Sequence, residues 1–157
     1  MKVVSNTSPL NYLTIIGHLE ILPKLYGTVS VPPAVISELR NEASPNAVKE
    51  LAKQLPQWLV VCPLRSKPSG ALAYLGRGEQ KAITLASEFG GSSLIIDDRE
   101  GRREAELRGV ATIGLLGVIA DAAGNGMIDL RATINQLRQT SFRASPRLLN
   151  ALLEQLR

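Results

Sequence analysis

Four carboxylates and one amide fall where a chain of alternating strands and helices would bring them together. Carboxylates held close to one another repel unless a cation lies among them. Oxygen ligands are what Mg²⁺ prefers, and such an ion can prepare a water for attack on phosphorus and neutralise the leaving oxygen. The residue types therefore indicate a Mg²⁺ or Mn²⁺ site that acts on phosphate esters. Its candidate ligands are Asn6, Glu38, Glu79, Asp97 and Asp98.

Each of these side chains also has an ordinary structural interpretation. Glu38 could be an exposed helix residue, and Glu79 could favour the positively charged end of its helix. Asp97 and Asp98 could form a strand-end turn that caps the next helix. The metal-site hypothesis therefore depends on a fold that sends all of them to one edge.

The rest of the composition excludes other kinds of site. With one cysteine (Cys62) and one histidine (His18), the chain can form neither an internal disulfide nor a zinc cluster of Cys and His ligands. No Ser-His-Asp or Cys-His catalytic arrangement is indicated. The segment 76–79, Gly-Arg-Gly-Glu, is neither a P-loop nor a complete dinucleotide fingerprint, and it follows a loop instead of a strand. A nucleotide-binding α/β domain is therefore the weaker alternative.

Alternating strand and helix patterns predict the elements that position the acidic residues. Short β-branched or apolar runs predict strands at 2–5, 28–31, 58–62, 93–96 and 110–112. Helices are predicted between them, with the one after Gly78 opening at Glu79 and the one after Asp98 spanning 101–108, while residues 64–78 are predicted to form a loop. Such alternation implies a parallel sheet covered on both faces, and the crevice at the carboxyl ends of its strands is the usual functional site.

Length and composition fit one soluble domain. The chain has 157 residues, 45% of them hydrophobic and 20% charged. We expect a three-layer α/β domain over residues 1–157, with 129–157 as a helical C-terminal extension. No apolar run approaches the ~20 residues that span a bilayer, and the N-terminus lacks a signal-peptide core, so a cytoplasmic location without membrane association is expected.

The net charge of +4 is unevenly distributed. Residues 122–157 carry five arginines against two carboxylates. This surplus is either a solvated helix face or a surface for phosphates or an acidic partner.

The order of motifs along the chain resembles the PIN-domain ribonucleases, specifically the VapC-like branch of prokaryotic toxin–antitoxin pairs. The segments that carry the resemblance cover most of residues 1–128 and are "NTSPL", "VSVPPAVISELR", "GRGEQKAITLA", "SLIIDDREGRREAELRGV" and "TIGLLGVIADAAGNGMI". The resemblance implies a PIN-like fold and a Mg²⁺- or Mn²⁺-dependent endoribonuclease that is often homodimeric and often neutralised by an antitoxin protein. It implies that the family's acidic positions fall on Asn6, Glu38, Glu79 and Asp97, with Asp98 a neighbour and Thr7 orienting the site.

One position departs from the family pattern. The family usually has Asp where this chain has Asn6, and the loss of one negative charge predicts weaker metal binding. The alternative function is therefore a catalytically weakened or inactive PIN-like module that binds RNA or a partner protein.

Three arginines just beyond the predicted fourth strand, Arg99, Arg102 and Arg103, are candidates for phosphate contact in the nuclease hypothesis. The alternative is a charged helix face on which they alternate with Glu100, Glu104 and Glu106.

Overall fold

Five strands form a parallel sheet within residues 2–155, the part of the chain that this computed structural model describes. The order across the sheet is β3-β2-β1-β4-β5. Every pair of neighbours is parallel, as expected for strands connected through helices. The strands are β1 (Val3–Ser5), β2 (Val29–Val31), β3 (Leu59–Val61), β4 (Ser93–Ile95) and β5 (Ala111–Ile113).

Helices follow the strands in the predicted alternation. They are α1 (Thr7–Ile15), α2 (Ile21–Tyr26), α3 (Pro33–Leu39), α4 (Asn46–Lys53), α5 (Arg77–Phe89), α6 (Arg99–Leu107), α7 (Leu115–Gly124), α8 (Leu130–Arg138) and α9 (Pro146–Gln155), with a 3₁₀ turn at Gly70–Leu72 inside the predicted loop.

Two helices begin two residues earlier than the pattern predicts. α5 begins at Arg77 instead of Glu79, which leaves Glu79 in the first turn. α6 begins at Arg99 instead of Gly101, because the Asp98 side chain accepts a hydrogen bond from the Gly101 amide (2.8 Å) and caps the helix at that point.

The sheet separates two apolar layers because alternate strand residues point to opposite faces. Val3 and Ile95 belong to the larger layer, which is covered by α1–α4 and α7–α9. Val4 and Leu94 belong to the smaller layer, which is covered by α5, α6 and the 3₁₀ turn. This arrangement confirms the predicted α/β fold with a parallel sheet covered by helices on both faces.

The chain reverses direction across the sheet between β1 and β4. From β1 it proceeds outward to β2 and β3, and then returns to the other side of β1 for β4 and β5. The two strands are in register, with Ser5 opposite Ile95. The backbone N–H of Asn6 donates to the Ile95 carbonyl (2.9 Å). In open parallel sheets such a reversal opens a crevice at the carboxyl ends of the strands.

No helix in the stretch 2–155 combines the length and apolar character needed to cross a membrane.

Candidate active site

The predicted crevice holds Asn6 at the end of β1. Asn6 is only 5% exposed, and its Oδ1 is buried without a hydrogen-bond donor. A buried amide oxygen that lacks a donor costs free energy, so its retention needs a reason.

Asp97, which follows β4, lies in the same crevice and is held from one side. Its Oδ1 accepts a hydrogen bond from the Leu115 amide at the start of α7 (2.8 Å). Its Oδ2 is buried without a donor. Burial raises the pKa of Asp97, while the Leu115 amide and the Arg102 guanidinium oppose that rise. One carboxylate oxygen is therefore fixed by the backbone, and the other is left free to bind something else.

Glu79, in the first turn of α5, is the most perturbed carboxyl of the site. Burial raises its pKa to about 7, with further contributions from Asp98 and then Glu38. Its Oε2 is buried without a donor. Asp98 and Glu38 are therefore both close enough to Glu79 for their negative charges to disfavour its ionised form.

Gly101 allows α6 to approach these carboxylates. A Cβ atom on Gly101 would lie 2.7 Å from Ile96 Cδ1, 3.1 Å from Glu79 Oε2 and 3.4 Å from Asp98 Oδ2. A side chain here would fill the space between the two carboxyl groups.

Glu38 reaches the site from α3 and is held by two donors. The Thr7 hydroxyl donates to its Oε1, and the Gly78 amide donates to its Oε2 (3.2 Å). A Cβ atom on Gly78 would overlap the Glu38 carboxylate. The Thr7 contact agrees with the orienting role that the resemblance implies for it.

The structure therefore places all five predicted residues at the carboxyl edge of the sheet. Glu79 interacts electrostatically with Asp98 and with Glu38, and Asn6 and Asp97 follow the adjacent strands β1 and β4. Within residues 2–155, no group of three or more His, Cys, Asp or Glu side chains has the arrangement of a preformed metal site. The roles of these five residues as ligands or catalytic groups stay predictions.

Two residues that sequence reasoning missed are Gly78 and Gly101, which give the carboxylates room. The sequence carried no signal for Gly78, because the pattern places it in the predicted loop, and Gly101 stands at the predicted start of its helix; glycine is common at both kinds of position.

Comparison with known proteins identifies the fold. A family model described as a PIN domain matches residues 2–157. Among solved structures, the chain is similar to a PilT N-terminus domain protein from the hyperthermophilic archaeon Sulfolobus solfataricus P2, with a TM-score of 0.52 and 18% identity. The alignment covers 92% of this chain and 100% of that one, and at this identity the likeness concerns the fold alone. A search of curated proteins finds no match.

Proposed function

Because the chain belongs to the PIN-domain family, whose members are generally nucleases, we propose that it is a metal-dependent endoribonuclease that hydrolyses RNA phosphodiester bonds. The observation that carries the proposal is a set of buried oxygen atoms without donors at one edge of the sheet. They are Asn6 Oδ1, Glu79 Oε2 and Asp97 Oδ2.

These oxygens fit a divalent cation. Each is an acceptor removed from water, and the pKa of Glu79 is raised by burial and by neighbouring carboxylates, so positive charge at this position relieves an existing repulsion. Mg²⁺ is commonly held by one or two carboxylates with water and substrate phosphate completing its shell, so a preformed group of three carboxylates is not required. Mg²⁺ or Mn²⁺ is therefore the proposed cofactor, with Asn6, Glu38, Glu79, Asp97 and Asp98 as the residues that would hold it.

The chain's own groups fix the orientation of these ligands. Thr7 and the Gly78 amide hold Glu38, the Leu115 amide holds Asp97, and the Gly101 amide holds Asp98. Such secondary contacts keep ligands in place before the substrate arrives. A divalent cation bound there would supply the positive charge that phosphodiester hydrolysis needs at the attacking and leaving oxygens.

The test is cleavage of a mixed RNA pool by the purified protein in Mg²⁺, Mn²⁺ or EDTA. Asp97→Ala should abolish cleavage. Asp121→Ala, which changes an exposed aspartate of α7 away from the α7 start that holds Asp97, should leave it unchanged. Cleavage that persists in EDTA, or in Asp97→Ala, would contradict the proposal.

The second candidate function is a PIN-like module that binds RNA or a partner protein without turnover. The neutral Asn6 favours it, because an amide contributes no charge to cation binding. Calorimetric titration with Mn²⁺, together with RNA binding and cleavage assays, separates the two candidates. Tighter binding by Asn6→Asp, together with cleavage by the unaltered protein, supports the nuclease. RNA binding without cleavage in either protein supports the binding module.

We also propose, from the resemblance to the VapC-like branch, that the protein is the toxin of a toxin–antitoxin pair and forms a homodimer. Induced expression of the protein should arrest bacterial growth, whereas expression of Asp97→Ala should not. A neighbouring reading frame for a small acidic protein, whose co-expression restores growth, would identify the antitoxin. Light scattering of the purified protein tests the dimer.

A further inference from the structure

A groove of about 340 Å³ opens beside the acidic site on its β5 side. Three of its lining residues are arginines of α6 at spacings that put them on one face of the helix. The Arg102 guanidinium lies innermost: its Nη1 is 3.2 Å from the position a Cβ would take on Gly114, and Asp97 Oδ1 is 3.1 Å from the same point. The groove therefore begins at the candidate active site. Its lining residues are Asp97, Arg99, Arg102, Arg103 and Glu106.

The three arginines lie among glutamates of their own helix, and the charge of Arg103 contributes to lowering the pKa of Glu104. Glu104 is engaged by Arg108 (2.6 Å) and by the Tyr74 hydroxyl (2.7 Å), and Glu106 accepts from the Thr112 hydroxyl (2.9 Å). In the described part of the chain, Arg99, Arg102 and Arg103 form no ion pair with a carboxylate. Arg102 Nε donates to the Thr112 hydroxyl (3.4 Å), whereas its Nη atoms and the guanidinium groups of Arg99 and Arg103 have no hydrogen-bond acceptor within residues 2–155 and keep donors available in the groove.

The α6 groove differs in charge from a second groove that also borders the site. A second groove, of about 460 Å³, opens on the other side, where Thr7 and Glu38 belong to its lining. The remaining residues of that lining are neutral, with hydroxyl and amide groups such as those of Ser8, Asn11 and Asn41, and no lysine or arginine is among them. Of these two grooves, only the α6 groove is therefore lined by cations that could contact an anionic polymer.

We propose that the α6 groove binds the phosphate backbone of the RNA strand on one side of the bond that is cleaved, with Arg99, Arg102 and Arg103 donating to phosphate oxygens. The inference rests on the proposed function, because it takes RNA as the substrate. Arginine suits this contact because its planar, permanently charged fork donates two parallel hydrogen bonds to a phosphate.

The test is binding of a short fluorescein-labelled single-stranded RNA, measured by anisotropy in EDTA and again in Ca²⁺, over a series of salt concentrations. The variants are Arg102→Gln, Arg103→Gln and the triple variant Arg99→Gln/Arg102→Gln/Arg103→Gln. Arg131→Gln is the matched control, since it removes the same charge from an exposed position on α8, which packs against α7 and α9. Circular dichroism checks that each variant is folded.

Each single α6 variant should weaken RNA binding by about 3- to 10-fold at low salt. The slope of log affinity against log salt should fall by about 0.7 for each phosphate that the protein no longer neutralises, hence by about 2 in the triple variant. Arg102→Lys, which keeps the charge, should retain more affinity than Arg102→Gln, and Arg131→Gln should bind as the unaltered protein does.

The proposal is overturned if the triple variant and Arg131→Gln show the same affinity and salt slope, or if the unaltered protein binds no RNA at low salt. These outcomes are distinguishable from failure of the nuclease function. Metal-dependent cleavage that needs Asp97 but is indifferent to the α6 arginines retains the function and rejects the groove. Arginine-dependent binding without cleavage retains the groove and rejects the nuclease.

Discussion

At the scale of single residues, the raised pKa of Glu79 makes the stability of the protein depend on pH. Its pKa is about 7 in the folded chain against an ordinary value of 4.5, because burial and then the nearby carboxylates disfavour its charged form. A raised pKa means that the folded state binds this proton more tightly than the unfolded state does. The stabilisation of the folded state by this proton is fully present below the ordinary pKa and is lost as pH rises through about 7.

Glu79→Gln should therefore increase the free energy of unfolding of the metal-free protein more at about pH 8 than at about pH 5, because glutamine carries no charge to bury. Urea unfolding in EDTA at both pH values measures the difference. Glu88→Gln is the contrasting control, because the Ser66 hydroxyl and the backbone amides of Arg65 and Ser66 lower the pKa of Glu88. Its substitution should cost about the same at both pH values, because a carboxyl with a lowered pKa stays ionised over this range. The same pH dependence in both variants would contradict the assignment.

Gly78 supports a second prediction at this scale. Alanine inside a helix normally stabilises by about 0.5–1 kcal/mol relative to glycine. At Gly78 the added Cβ would overlap the Glu38 carboxylate, which is the far end of a flexible, exposed side chain. Gly78→Ala should therefore displace Glu38 and lower RNA cleavage, with little change in the free energy of unfolding.

Gly124→Ala is the matched control for Gly78→Ala. Gly124 lies in α7, and nothing lies within 4 Å of its Cβ position. It should leave cleavage unchanged and leave stability equal or slightly higher. Full cleavage by Gly78→Ala would show that the position of Glu38 does not matter.

At the scale of elements, Asp98 has a structural task and a proposed chemical one, and the two can be separated. Its side chain caps α6 through the Gly101 amide, and its charge contributes to the raised pKa of Glu79. Asp98→Ala should remove both and cost about 0.5–2 kcal/mol of unfolding free energy. Asp98→Asn should keep most of the cap, since asparagine is an equally good N-cap residue, while it weakens Mn²⁺ binding.

The control for the capping effect is Asp129, which caps α8 by accepting from the Ala132 amide (2.8 Å). Asp129→Ala should lose stability as Asp98→Ala does but keep its affinity for Mn²⁺. Urea unfolding and calorimetric Mn²⁺ titration of the three variants measure both effects. If Asp98→Asn binds Mn²⁺ as tightly as the unaltered protein, Asp98 acts only as a cap.

Elements were predictable from the sequence to the extent that their signals are local. β-branched runs such as Val29–Val31 and stop signals such as Gly90 depend on neighbouring residues alone, so the strands and most helix ends follow from them. The start of α6 was misplaced although its signal is local, because an N-cap at Asp98 puts the first helical residue at Arg99 and not at Gly101. The contact between Gly78 and Glu38 joins residues 40 positions apart in the chain, so no local sequence pattern marks it.

At the scale of the whole molecule, the site joins the two layers that the sheet separates. Glu38 comes from α3 in the larger layer, whereas Glu79 and Asp98 come from the start of α5 and the cap of α6 in the smaller one. The gathering of these carboxylates follows from strand order, with the reversal between β1 and β4, and the sequence indicated the edge but not which of its side chains would interact. A cation bound at this edge would contact residues from both layers and from the strand ends.

Binding of the cation should therefore stabilise the entire fold against unfolding. At a metal concentration about 100 times its Kd, mass action contributes about 2.7 kcal/mol, which for a chain of this length raises Tm by about 5–10 °C. Calorimetry should show this rise with Mn²⁺ over EDTA in the unaltered protein and in Asp121→Ala, and little of it in Asp97→Ala. A rise that survives Asp97→Ala would place the ion elsewhere on the molecule, because Asp97 Oδ2, a buried acceptor without a hydrogen-bond donor, is one of the proposed ligand atoms.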